Sequence, residues 1–268
     1  MNNKKLMDPV FKKEAREFWK KKLQNTIPIL KFHGSLNKNP GDKKGAGYQC
    51  FIDTQLKGKL QKIAKANNTS LFMVMFSVYI LFLARFTGEQ DIACSFISAG
   101  REHVSLHNII GFFVNSVIFR TRVDDGQSFE SFLRRINNDI LEIFEYQSYP
   151  LELLFEEMQM RYPDIPVSFN MTNIQDATVG RELRSPQPAH AEKAQDVKFD
   201  LEPYINEYKN GIHIYWAYRK NLFTPKTIEY MASEYIKLLD YFATHPNSDY
   251  KTYRDRGIKP TFKRQSKK

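Results

Sequence analysis

GREHVSLHNIIGFFVNSVIFRTR, residues 100–122, is the stretch whose reading decides the fold. It opens on Gly100-Arg101, passes through a polar loop holding His103 and His107, and turns apolar at Ile109. Gly111 precedes a strand-like run, Phe112 to Phe119, in which Asn115 is the one large polar residue; Arg120 follows it. An amide inside an apolar strand costs roughly 1–3 kcal/mol unless it finds hydrogen-bond partners. Two readings stand: a satisfied core or sheet-edge asparagine, or a strand that carries a polar group to the wall of a tunnel.

Upstream of this stretch, residues 8–24 place Phe11, Ala15, Phe18, Trp19 and Leu23 near one helical face, with Asp8-Pro9 as a start signal. The polar run 33–47 reads as a linker and residues 48–52 as a short strand. Helix 55–66 follows, capped by Asp53 or Thr54. Helix 70–86 is apolar nearly all round, which predicts burial between layers, and Gly88 closes it before a buried strand at 91–98. Downstream, Ser128 caps a regular helical stripe over 129–146, and Pro150 starts a short helix. A strand over 167–174 and a loop over 175–197 come next. The KNG at 209–211 then joins strands 198–207 and 212–219 as a hairpin, and Thr224-Pro225 opens a last long helix. Strands alternating with helices and ending in a hairpin predict an α/β fold: a two-layer sandwich of a mixed sheet packed by helices.

The chain has 268 residues, 42% of them hydrophobic, enough to bury a core. Forty basic against thirty acidic residues give a formal charge of +10, which favours acidic partners. Much of that excess lies in residues 246–268, read as a solvated basic tail. Cys50 and Cys94 have no metal-ligand spacing, so a reduced, cytoplasmic setting is expected. The charged start carries no signal-peptide pattern, and the apolar run 71–84 has the length of a core helix rather than a membrane span. No membrane and no nucleic-acid partner is expected, because the basic regions lack an interleaved aromatic pattern.

Catalytic motifs are missing. There is no G-x-S-x-G elbow, phosphate-binding glycine loop, HExxH or Cys-x-x-Cys pair. The six histidines, His33, His103, His107, His190, His213 and His245, include no adjacent pair, and no catalytic residue and no metal ligand is nominated. His213, alternating with Ile212 and Ile214, is expected to face solvent.

AGREH…IGFFVNSVIFR, residues 99–120, closely resembles the GR-x-H…IGFFVN-x-x-x-x-R stretch of condensation domains in nonribosomal peptide synthetases. EFWKKKL at 17–23, Thr87, Gly88 and Asp91, QSYPLELLF at 147–155, Phe169-Asn170 and KFDLEPYINEYKNGIHIYWAYRKNLF from Lys198 are similar to further segments of that family. The resemblance covers only the family's C-terminal half. It implies a chloramphenicol-acetyltransferase-like half-domain over 48–245, with an opening helix and linker over 1–47. The family's H-H-x-x-x-D-G signature, which belongs to the other lobe, is absent.

Carried over residue by residue, the resemblance makes Asn115, Ser168 and Asn170 tunnel residues for a substrate arm. It makes Gly100, Arg101, His103, Gly111 and Arg120 part of the floor loop and lobe interface. It implies peptidyl carrier proteins bearing 4′-phosphopantetheine as partners, an N-terminal lobe in cis or trans, and amide formation between carrier-bound aminoacyl or peptidyl thioesters. The chain binds no cofactor itself on this reading and is inactive alone. A non-enzymatic role, docking carrier proteins or scaffolding an assembly, is the alternative, and an exposed lobe-facing surface predicts a possible homodimer.

Overall fold

The computed structural model describes residues 8–32, 36, 42–98, 115–171, 189–191 and 196–256. In chain order the elements are α1 (Pro9–Leu23), β1 (Gly45–Ile52), α2 (Thr54–Ala66), α3 (Leu71–Thr87), β2 (Asp91–Ser98), β3 (Asn115–Arg122) and α4 (Phe129–Tyr146). They continue with α5 (Leu151–Glu157), β4 (Ser168–Met171), β5 (Ala189–Ala191), β6 (Leu201–Tyr208), β7 (Gly211–Arg219), α6 (Pro225–Thr244) and α7 (Tyr250–Arg256). The strands form one sheet in the order β3-β2-β4-β6-β7-β1-β5. The β2–β4 and β4–β6 pairs are parallel and the others antiparallel, so the sheet is mixed, as expected.

Local chemistry sets the helix ends. The side chains of Asp8, Asp53, Ser70, Ser128 and Thr224 each accept a hydrogen bond from a backbone N–H in the first turn of the helix they precede. Each such cap contributes about 1 kcal/mol. Gly88 ends α3 in the left-handed region, φ 75°, where a side chain would be strained.

Helix α3 is the centre of the core, with every residue from Met73 to Thr87 buried. The Phe76 ring meets Phe96, Phe119 and Phe169, one from each of three neighbouring strands, edge-on at 5.6, 5.2 and 5.3 Å. Further along α3, Phe82 packs on Trp216 of β7 and Tyr235 of α6 at 5.5 and 5.7 Å. Such pairs add about 0.5–1.5 kcal/mol each beyond area burial. Arg85 is the one charge on α3, and it is held by Glu234 of α6 at 3.3 Å.

Strand alternation gives the sheet two different faces. Ile92, Cys94, Phe96, Val117, Phe119, Phe169, Leu201, Ile205, Ile214 and Trp216 point into the helical layer and are buried. Their neighbours, among them Ser95, Ser168, Asn170, Glu202, Tyr204, His213 and Tyr215, point to the opposite face, as alternation requires.

The structure departs from the sequence expectations at several places, one being β5, which falls within the expected loop 175–197. The first strand begins at Gly45, so a boundary at 47 falls inside β1 rather than in a linker. The stretch 246–256 is no free tail: α7 docks through Tyr250, 4% exposed, and Arg254 pairs with Asp125 at 2.6 Å. The basic composition hid two aromatic anchors. The hairpin turn sits on Lys209-Asn210, with Gly211 already paired to Tyr208, and a Cβ at Gly211 would lie 2.4 Å from the Ile52 carbonyl oxygen. His213 does not stand in solvent; it is half-buried and stacks on Phe51 of β1 at 5.0 Å, and burial pushes its pKa down.

Candidate functional site

The sheet face away from α3 carries the polar side chains that could bind a ligand. Strand register places them side by side. Ser95 pairs with Ser168, Asn170 with Tyr204, Tyr204 with Tyr215, and Glu202 with Ala217, which in turn pairs with Gly47. A band of polar and small side chains therefore crosses β2, β4, β6, β7 and β1.

Glu202 is the chemical centre of that band. It is only 6% exposed, and Tyr204 Oη donates a hydrogen bond to its Oε2 at 2.7 Å. Burial pushes its pKa up; the Tyr204 hydroxyl, Ser168, Lys198 and Asn170 pull it back, because each favours the ionised form. Ser168 is fully buried, and its Oγ makes no hydrogen bond of ordinary geometry even though it lies near the carboxylate. Tyr204 is itself raised, by burial and by its bond to Glu202.

Next to Glu202 a cleft of about 340 Å³ opens at the β6–β7–β1 end of this face. Gly45, Ala46 and Ala217 give it a floor of small residues, Tyr204 and Tyr215 an aromatic wall, and residues 196–198 a rim. The rim is held in place by Val197, whose N–H donates to the Lys43 carbonyl at 2.9 Å. Tyr215 lies directly over Gly47, where a Cβ would come within 2.0 Å of its hydroxyl oxygen.

Of the residues read as tunnel-lining, Ser168 and Asn170 come together beside Glu202 and Tyr204. Asn115 begins β3 and pairs in register with Ser98; its side chain lies outside the described residues, as do Gly100, Arg101, His103 and Gly111. Arg120, expected at the lobe interface, is engaged within the chain. Its Nε and one terminal nitrogen grip Asp91 at 3.0 and 2.7 Å, and the other donates to the Gln24 carbonyl at 2.7 Å. It thus ties the edge strand to the segment following α1. A second cleft, about 530 Å³, opens there; of its charged lining, Arg120 pairs with Asp91 and Lys22 with Asp139 and Glu142, Arg122 donates to the Gln90 side chain, and Lys21 completes it. Among the described residues no cluster of His, Cys, Asp and Glu is arranged to hold a metal ion, and no single helix is long and apolar enough to cross a membrane.

Glu202, Tyr204 and Tyr215 escaped the sequence reading. Their signal was present in LEPYINEY and GIHIYWAYR: two alternating strands joined by a tight hairpin put Glu202, Tyr204, Tyr215 and Ala217 on one face.

The mixed sheet thus carries a helical layer on one face and the polar band on the other. Residues 5–255 match the family model described as Condensation domain, and the chain belongs to that family. It is 29% identical over 250 residues, 90% of its length, to surfactin synthase subunit 1 of Bacillus subtilis (strain 168), of which it covers 7%. To tyrocidine synthase 3 of Brevibacillus parabrevis it is 28% identical over 246 residues, covering 87% of this chain and 4% of that protein. Its fold superposes on the SgcC5 protein from Streptomyces globisporus with a TM-score of 0.77 at 20% identity, over 92% of this chain and 59% of that one. For the first condensation domain of the calcium-dependent antibiotic synthetase the TM-score is 0.74 at 15% identity, over 93% and 55%. The chain therefore spans only a small fraction of those two synthases and little more than half of these solved structures. The α/β fold is the chloramphenicol-acetyltransferase-like fold of condensation domains.

Proposed function

We propose that this chain is the C-terminal lobe of a nonribosomal peptide synthetase condensation domain, with its polar sheet face as one wall of the substrate tunnel. The observation that carries the reading is that face: its polar band crosses five strands, and the helices pack on the opposite side of the sheet. Family membership and the missing H-H-x-x-x-D-G motif support the assignment to the half without the catalytic histidine. Ser168 and Asn170 supply hydroxyl and amide groups suited to a 4′-phosphopantetheine arm and its thioester carbonyl, which need donors and acceptors rather than charge; Asn115 has the strand parity of Val117 and Phe119 and is not counted on this face. Gly100, Arg101, His103 and Gly111 form the floor loop on this reading, and Arg101 pairs with a carboxylate of the other lobe. Amide formation between two carrier-bound thioesters then requires the histidine-bearing lobe, in cis or in trans.

The test mixes this chain with a separately produced N-terminal lobe and two loaded carrier proteins. Amide product in the mixture and in neither half alone is the expected result. Carrier binding without product in the mixture replaces the enzymatic reading by a docking or scaffold role, and the absence of carrier binding at low salt overturns both. The open face also predicts self-association of the isolated chain; a monomer by light scattering at high concentration counts against that part.

A further inference from the structure

The cleft beside Glu202 has a chemistry that the tunnel reading does not use. Glu202 is a carboxylate held away from water, with one oxygen occupied by Tyr204 and with Ser168 and Asn170 beside it. An ionised carboxylate offers about four acceptor positions, so capacity remains for an incoming donor. Lys198, the one cation on the rim among the described residues, sits over the Phe199 ring at 5.2 Å, and its charge favours the ionised form of Glu202 from the rim. Asp196 adds a second acid, so the lining carries two carboxylates against one ammonium in a chain whose formal charge is +10.

The wall is as telling as the charge. Tyr204 and Tyr215 stand with ring centroids 6.3 Å apart on adjacent strands, and both line the cleft. Aromatic faces attract cations and leave neutral polar groups largely indifferent. The Gly45, Ala46 and Ala217 floor lets a ligand approach the backbone closely, and about 340 Å³ is at the small end of ligand clefts, with room for an amino-acid-sized group.

We propose that this cleft binds the primary ammonium group of an amino-acid-sized ligand, with Glu202 as its counter-ion and Tyr204 and Tyr215 as its aromatic wall. The competing chemistry is a protonated Glu202 donating to a neutral carbonyl, and the two demand opposite ligands. The inference does not depend on the two-lobe reading, because a site built wholly from this chain binds with or without a partner lobe.

The experiment titrates the full chain with leucinamide, which carries an ammonium group, and with N-acetyl-leucinamide, which does not, following tyrosine and backbone signals by NMR. Leucinamide is expected to bind at least tenfold more tightly and to perturb residues of β6 and β7 around the cleft. Glu202→Gln keeps shape and hydrogen bonding and is expected to weaken leucinamide at least tenfold. Ala217→Leu, which fills the cleft and leaves the carboxylate in place, is expected to abolish binding. Far-UV circular dichroism and urea midpoints establish that both variants are folded. Equal binding of the two amides, unchanged binding by Glu202→Gln, or no saturable binding of leucinamide would each overturn the proposal.

Discussion

Replacing Arg120 by alanine isolates the contact that joins the edge of the sheet to the N-terminal helix. The guanidinium makes two bonds to Asp91, at 3.0 and 2.7 Å, and one to the Gln24 carbonyl at 2.7 Å. Its side chain is 15% exposed and that of Asp91 35%. A hydrogen bond to a charged group contributes roughly 1.5–3 kcal/mol when buried, and exposure of Asp91 lets water recover part of the loss. The expected net cost is about 2–3 kcal/mol. At roughly 2–4 °C per kcal/mol for a domain of this size, the midpoint of thermal unfolding falls by about 5–10 °C. Urea unfolding followed by fluorescence gives the number, since Trp19 in α1 and Trp216 in β7 are both buried and report the two sides of the contact. Arg120→Lys retains the charge but not the two-pronged geometry and should recover less than half. Combined with Asp91→Ala in a double-mutant cycle, Arg120→Ala should show a coupling of about 1–2 kcal/mol. A loss below about 0.5 kcal/mol, or strict additivity with Asp91→Ala, would show that the contact holds nothing together.

Other perturbations test separate parts of the structure. Glu202→Gln should leave stability equal or raised at pH 7. Burial lifts the carboxyl pKa above its unfolded value, so ionisation destabilises the fold as pH rises between the two, by about 1.4 kcal/mol per unit of difference. The gap between variant and parent should therefore close as the pH is lowered below the ordinary carboxylate range, and a gap that widens would reverse the sign assigned to Glu202. Glu234→Ala strands the Arg85 charge in the core and should cost about 3–5 kcal/mol, whereas Arg85→Met with Glu234→Leu should be near neutral; urea midpoints decide. Gly47→Ala places a methyl group against the Tyr215 hydroxyl and should cost roughly 1–3 kcal/mol, relieved when Tyr215→Ala is added; equal losses with and without Tyr215 would refute the close approach.

The fold was legible wherever one residue's neighbours in sequence are also its neighbours in physics. The apolar circumference of α3, the Ser128 cap, the Gly88 stop and the 201–219 hairpin all follow from local periodicity and turn chemistry. Legibility failed where distant segments meet. Arg120 reads, by resemblance, as a lobe-interface residue until Asp91 and the Gln24 carbonyl are brought to it. His213 reads as solvent-facing until Phe51, across the β7–β1 pair, covers it. The docking of α7 depends on the burial of Tyr250 and on Tyr253 meeting Tyr241 of α6 and Arg85, which the basic composition around them conceals. Of the candidate site, Ser168 and Asn170 were found by resemblance. Glu202 was not, because its role follows from what β4 and β7 place on either side of β6.

The apolar girth of α3 has a consequence for the order in which the chain can be made. Its partners Phe96, Phe119 and Phe169 leave the ribosome after it, and Glu234, the acid that pairs with Arg85 at 3.3 Å, arrives later still, on α6. Until α6 has been synthesised, the nascent chain holds a greasy helix whose Arg85 lacks its Glu234 partner, with no complete layer to close over it. Premature termination anywhere before residue 244 therefore yields a sticky fragment rather than a smaller folded unit, and the layer is sealed only when α6 is laid down.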